Sequence, residues 1–104
     1  MSPTLIYVVV RAAGQEFGVS PDEVLSRRRI GRFVAARQVS YYLLRTAARK
    51  TTTEIGKAFG RDHSTVVEGC QTIDAWCETD KTFAARVAKV EARVKGILGP
   101  KLES

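Results

Sequence analysis

The stretch TTTEIGKAFGRDHSTVVEGCQTIDAWC, from Thr51 to Cys77, reads as two helices joined by a tight turn, a helix-turn-helix. Thr51 followed three residues later by Glu54 is a capping box, in which each side chain satisfies an orphan amide of the other, so a helix begins there. Ile55, Ala58 and Phe59 form its apolar side. Gly60 supplies a left-handed residue to stop it, and Asp62 accepts from the free amides that open the next helix. The turn is therefore about three residues long. In the second helix Val66, Cys70, Ile73 and Cys77 recur at spacings of four, three and four, a stripe suited to burial. His63, Ser64, Thr65, Glu68 and Gln71 are left pointing elsewhere. A first turn carrying Arg61, Asp62, His63, Ser64 and Thr65 presents donors, hydroxyls and a positive dipole end, which suits phosphates and base edges.

A chain of 104 residues buries one core but not two, so one domain is expected over 1–104, with its core at about 5–98 and no separate catalytic domain. The formal charge of +6 is unevenly spread: residues 1–50 carry nine Lys/Arg against three Asp/Glu, and residues 51–104 carry eight against eight. Between Arg27 and Lys50 there are eight basic residues and no acidic one. Alone, such a run is a solvated face; beside a helix-turn-helix it is the footprint of a surface that meets a polyanion. Cys70 and Cys77 lie seven apart on one helix, about 10 Å, too far for a disulfide. With His63 the sole histidine there is no zinc ligand set, and no metal or cofactor is expected. His63 beside Asp62 and Ser64 makes no catalytic relay, because neighbours in sequence on a helix point in different directions, so no enzyme is expected. No signal peptide or membrane-length apolar run is present, which points to the cytoplasm. Met1 and the final helix favour a complete gene product over an excised domain, without deciding between them.

In chain order, Ser2-Pro3 opens a helix through Leu5, Val9, Ala12, Ala13 and Phe17, stopped by Gly18. Ser20-Pro21-Asp22-Glu23 starts a second, short one bearing Val24 and Leu25. The segment SRRRIGRF, Ser26 to Phe33, reads as a loop or frayed helix end, with Gly31 relaxing the backbone. From Val34 to Lys50 the pattern predicts one long helix with Ala35, Val39, Tyr42, Leu43 and Thr46 inward. Arg37, Tyr41, Arg45 and Arg49 then recur every fourth residue on one face, able to follow a phosphate backbone with Gln38 beside them. Tyr41 suits packing better than contact, though only the assigned face separates it from Tyr42. Asp80 caps a last helix bearing Phe83, Val87, Val90, Val94 and Leu98, ended by Gly99-Pro100; it covers the core or pairs with a second copy, giving a monomer or weak homodimer. The tail from Lys101 on is expected to be disordered. The fold class is all-α, a compact bundle of about six helices containing a helix-turn-helix.

FGRDHSTV, Phe59 to Val66, resembles the signature of the DNA-binding domain that ends the DnaA bacterial replication initiators. The resemblance runs from about Val10 to Asp80 through FGVSPDEVLSRRR, ARQVSYYLLR and TEIGKAFGRDHSTV, three motifs in the family's order. It implies a TrpR-like helical domain that binds double-stranded DNA, with the second helix of the motif in the major groove and a basic loop in the minor groove. By that resemblance Arg61, Asp62, His63, Ser64, Thr65 and Glu68 address the major groove. Arg27, Arg28, Arg29 and Arg32 address the minor groove, with Arg29 entering it; contact with phosphates alone is equally open. Arg37, Gln38 and Arg45 match positions the family uses for backbone contact, and Arg49, Thr53 and Lys57 are assigned to the backbone with them.

The implied setting is a nucleoid-associated protein at DnaA-box-like sites, in replication initiation or its regulation. Two other readings remain: a small dimeric helix-turn-helix transcriptional regulator, and a protein-interaction module without DNA specificity. The chain departs from the family in a single Gly60 where two glycines are common, in Ser64 for threonine, in Glu68 for histidine and in Thr53 for proline. A carboxylate at 68 repels phosphate and prefers to accept from cytosine. There is no G-x-x-x-x-G-K-[ST] phosphate loop, so no nucleotide is expected.

Overall fold

A computed structural model describes residues 1–102 and contains six α-helices, with no strand among the described residues. They are α1 (Pro3–Phe17), α2 (Pro21–Leu25), α3 (Gly31–Thr46), α4 (Thr52–Phe59), α5 (His63–Thr79) and α6 (Lys81–Leu98), followed by a 3₁₀ turn, Gly99–Lys101. The fold is all-α, as the periodicities require.

Most boundaries are set by side-chain caps. Ser2 accepts from the Leu5 amide at 3.1 Å with Pro3 behind it, and Gly18 ends α1 at φ 70°. Ser20–Glu23 and Thr51–Glu54 both form complete capping boxes, and Asp80 accepts from the Phe83 amide at 3.0 Å to open α6. Gly60, at φ 64°, closes α4.

Helix α3 is where the sequence reading fails at both ends. It begins at Gly31, three residues early, capped at Ile30 without a side-chain bond. It ends at Thr46 rather than Lys50, because the chain turns through Arg49 at φ 59° and the Lys50 amide reaches back to the Leu44 carbonyl at 2.9 Å. A left-handed turn on arginine carries no glycine to announce it. The inward face also differs. Phe33, Ala36, Val39, Ser40, Tyr41, Leu43 and Leu44 are buried, whereas Ala35 and Tyr42 are half-buried and Thr46 is exposed. The reason is that α3 is central, packed by α1 on one side and by α5 on another, so its buried arc is wider than a single stripe.

One core cluster runs from Leu5, Val9 and Val10 of α1 through Phe33, Leu43 and Leu44 of α3 to Ile55, Val66 and Ile73 of the helix-turn-helix. Phe83, Val87, Val90 and Val94 of α6 close it, while Leu98 is only half-buried. Lys101 is part of the 3₁₀ turn and Leu102 is buried, so the disorder predicted from Lys101 does not apply to these two; residues 103–104 lie outside the described residues. Close contact between α3 and α5 depends on Gly69, where a Cβ would stand 2.8 Å from Tyr41 Cδ2.

Candidate nucleic-acid interface

The turn between α4 and α5 is short because Gly56 has no side chain. A Cβ there would lie 2.7 Å from the Arg61 carbonyl, so the turn could not fold back on α4 with any other residue. Asp62 then caps α5, accepting from the Ser64 amide at 3.2 Å, and that bond holds its carboxyl below the ordinary range. His63 Nδ1 stands 3.1 Å from Asp62 Oδ1. His63, Ser64, Thr65 and Glu68 are all exposed, and Val66, Cys70 and Ile73 hold the opposite side of α5 in the core; Cys77 is half-buried.

The basic loop beside this turn, residues 26–30, has no helical ladder of its own, yet its backbone is pinned. Arg61 Nη2 donates to the Ser26 carbonyl at 3.0 Å, and Arg27 Nη2 donates to the Gly60 carbonyl at 2.9 Å. Each segment thus lends a guanidinium to the other's main chain. Arg37 completes the frame from α3, with Nε on the Val24 carbonyl at 2.8 Å and Nη2 on the Arg28 carbonyl at 3.2 Å. Arg37 is 6% exposed, and burial with the Arg61 charge nearby lowers its pKa from the ordinary value. The backbone contact expected of Arg37 therefore begins as something else: a strut that fixes the loop.

These interactions gather much of the expected site around one open cavity of about 370 Å³. Arg27, Arg29, Arg37, Gln38, Arg61, Thr65 and Glu68 line it, joined by Val34 and Tyr41. Arg28 and Arg32 stand apart, their guanidiniums 5.6 and 5.3 Å from the Phe33 ring centre, and Arg29 is exposed. His63, Ser64, Thr53 and Lys57 are exposed outside the cavity.

Arg45 and Arg49 meet at a second hollow, lined also by Lys50, Thr51 and Thr52 where α3 gives way to α4. The four-step ladder predicted along α3 is corrected here. Arg37 and Tyr41 are buried and Arg49 lies beyond the helix, so only Arg45 projects from it as an exposed cation of that row. Sequence reading missed Ser26 as an acceptor, and it set Tyr41 in the row that could follow a phosphate backbone while favouring packing for it. The one available signal for Ser26 was its position between the last apolar residue of α2 and the arginines.

Among the described residues no group of three or more His, Cys, Asp or Glu is placed to hold a metal ion, and no helix is long and apolar enough to cross a membrane. The family model for the bacterial dnaA protein helix-turn-helix matches residues 6–73, which span the cavity, the loop and the turn. The chain belongs to the DnaA helix-turn-helix family. It is 40% identical over 72 residues to chromosomal replication initiator protein DnaA 1 of Chlamydia trachomatis, covering 69% of this chain and 16% of that one. It is 35% identical over 88 residues to the DnaA of Deinococcus radiodurans, covering 85% of this chain and 19% of the relative, and 33% identical over 89 residues to that of Deinococcus deserti, covering 86% and 20%. The chain thus spans about a fifth or less of the DnaA relatives it matches. Every residue proposed from sequence for the site, from Arg27 to Glu68, lies inside the matched DnaA span.

Proposed function

We propose that this chain binds double-stranded DNA sequence-specifically, with the start of α5 in the major groove and the 26–30 loop in the adjacent minor groove. The observation that carries this reading is the mutual pinning of loop and turn by Arg27 and Arg61. It fixes a basic, backbone-irregular segment at a set distance from an exposed helix start bearing His63, Ser64 and Thr65, which is what simultaneous engagement of two neighbouring grooves requires. In this division of labour α5 and Asp62 read base edges, Arg28, Arg29 and Arg32 address the minor groove and its phosphates, and Gln38, Arg45, Arg49, Thr53 and Lys57 address the backbone. The relatives' name, chromosomal replication initiator protein, supports a place at replication origins or in their regulation, in the cytoplasm on the nucleoid.

The test is selection of bound sequences from a random duplex pool at physiological salt. Recovery of one asymmetric box is the expected result. A palindrome would favour a dimeric regulator, and recovery of no enriched sequence would reject specific recognition.

A further inference from the structure

We propose that Tyr41 is a DNA-binding residue: its hydroxyl, in the floor of the groove between the basic loop and α5, donates to a backbone phosphodiester seated among Arg27, Arg37 and Arg61. The proposal rests on the duplex-binding reading above and adds to it a residue and a single phosphate.

Tyr41 is 1% exposed, and its hydroxyl is buried with no hydrogen-bond partner. Buried polar groups are almost always paired, because an unpaired one forfeits the hydrogen bonds it had in water. A phenylalanine would fill the same space without that penalty, so the oxygen is a feature to be explained. The ring is not free to turn it elsewhere: Phe59 packs edge-on with centroids 5.0 Å apart, and Gly69 lies so close that a Cβ there would stand 2.8 Å from Tyr41 Cδ2.

The surroundings say what is missing. Arg61, Arg37 and Arg27 are the cations that act on this phenol, and all three rest on neutral main-chain carbonyls. Glu68 is the one acidic residue lining the cavity, and among the described residues it forms no ion pair with them. Three positive charges and one idle O–H donor therefore share a site whose one carboxylate, Glu68, is bonded to none of them. A phosphodiester supplies a negative charge and an acceptor together. Burial pushes the Tyr41 pKa up, so the phenol keeps its proton and stays a donor. In the docking proposed above, this seat falls to the strand between the groove read by α5 and the groove facing the loop.

Tyr41→Phe removes the oxygen and little else. We expect it to weaken binding of the selected duplex and of an unrelated duplex alike, by about tenfold, with the salt dependence unchanged because no charge is lost. The melting temperature of the free protein should hold or rise. A walk of single methylphosphonate linkages along the selected duplex then locates the seat: one linkage should weaken both proteins through the lost charge, but wild type more than Tyr41→Phe, with a coupling between linkage and hydroxyl of several-fold, up to about tenfold. Wild-type affinity in Tyr41→Phe, or an affinity loss matched by a fall in melting temperature, would overturn the assignment while leaving duplex recognition standing. Equal effects of every linkage on both proteins would overturn it too. Failure of the wild-type chain to bind any duplex would remove both readings.

Discussion

Two regions of the molecule, a front made by the basic loop with α3 and α5 and a back made by α1 with α6, use arginine in opposite ways. On the face formed by the loop, α3 and the start of α5, Arg27, Arg37 and Arg61 donate to the carbonyls of Gly60, Val24, Arg28 and Ser26. Where α1 meets α6, by contrast, Arg86 donates to the Glu16 carboxylate at 2.9 Å while its guanidinium stacks on Phe17, and Lys89 stands 3.7 Å from the same carboxylate. Both arrangements order the cation. Only the second cancels its charge, since a carbonyl is a dipole and a carboxylate an ion. The front is therefore ordered with its three guanidinium charges uncancelled by any bonded carboxylate, whereas the back is ordered and electrostatically closed. Rigid positive charge is what binding a polyanion uses best, because neither side-chain ordering nor displacement of a protein carboxylate has to accompany association.

The sharpest way to break this contrast is to give the front what the back has. Gln38 lines the cavity with Arg27, Arg37 and Arg61, so Gln38→Glu places a carboxylate among them with almost no change of shape. Duplex affinity should fall by about a hundredfold or more, as a like charge opposes the phosphate. The slope of log K against log salt should shrink by roughly one or two. The melting temperature should rise or stay level. A variant that keeps both affinity and slope would show that these arginines do not meet the polyanion. The converse change is Glu16→Gln, which should destabilise the protein by about 1 to 3 kcal/mol at neutral pH without altering duplex affinity per folded molecule. Arg86 and Lys89 hold the Glu16 carboxyl below its ordinary value of 4.5, so its contribution is complete above that value and is lost as pH falls through the lowered one. Urea titrations of the two proteins should therefore converge in acid. A gap that persists at low pH would mean the pair acts by packing alone.

How much of this was legible beforehand differs between the same regions. The helix-turn-helix was readable to the residue, because Thr51, Glu54, Gly60 and Asp62 each act on a backbone group one to three positions away, and such local chemistry survives in a linear text. The loop and α3 were not. Arg61 and Ser26 are 35 residues apart, and nothing in either neighbourhood announces their bond. Arg37, Tyr41 and Arg49 looked like one exposed row only because a helix was extended through Lys50 and given a single buried stripe. The actual helix stops short, turns on a left-handed arginine and is packed on two sides. Family resemblance supplied the candidate list for the site, whereas the division between arginines that frame the loop and arginines left outward became visible only in three dimensions.

Within the front, bases and backbone should separate. His63→Ala should lower discrimination at one base pair by about 1 to 3 kcal/mol while leaving binding to an unrelated duplex nearly as it was. Arg45→Gln should weaken selected and unrelated duplexes alike and reduce the salt slope by about 0.9. Affinity measured on both duplexes at three salt concentrations distinguishes them. An exchange of the two behaviours would place the recognition surface on α3 rather than α5.

The smallest effect probes whether the front face is approached closely by a partner. Gly31 at the start of α3 and Gly96 near the end of α6 are both helical, and a Cβ built on either meets nothing within 4 Å. Alanine at each should therefore stabilise the free protein by roughly 0.5 to 1 kcal/mol, chiefly by narrowing the unfolded ensemble. Gly96 lies on the closed side, so Gly96→Ala should leave duplex affinity untouched and serves as the reference. Gly31 adjoins Arg32 and the loop, where the sequence suggested that glycine was needed to loosen the backbone. The backbone there is regular helix, so that reason is gone, and Gly31→Ala should behave like Gly96→Ala both in melting temperature and in duplex affinity. If melting rises equally in both but affinity falls only in Gly31→Ala, then the missing methyl matters in the complex rather than in the fold, and the nucleic acid passes within van der Waals reach of the first turn of α3.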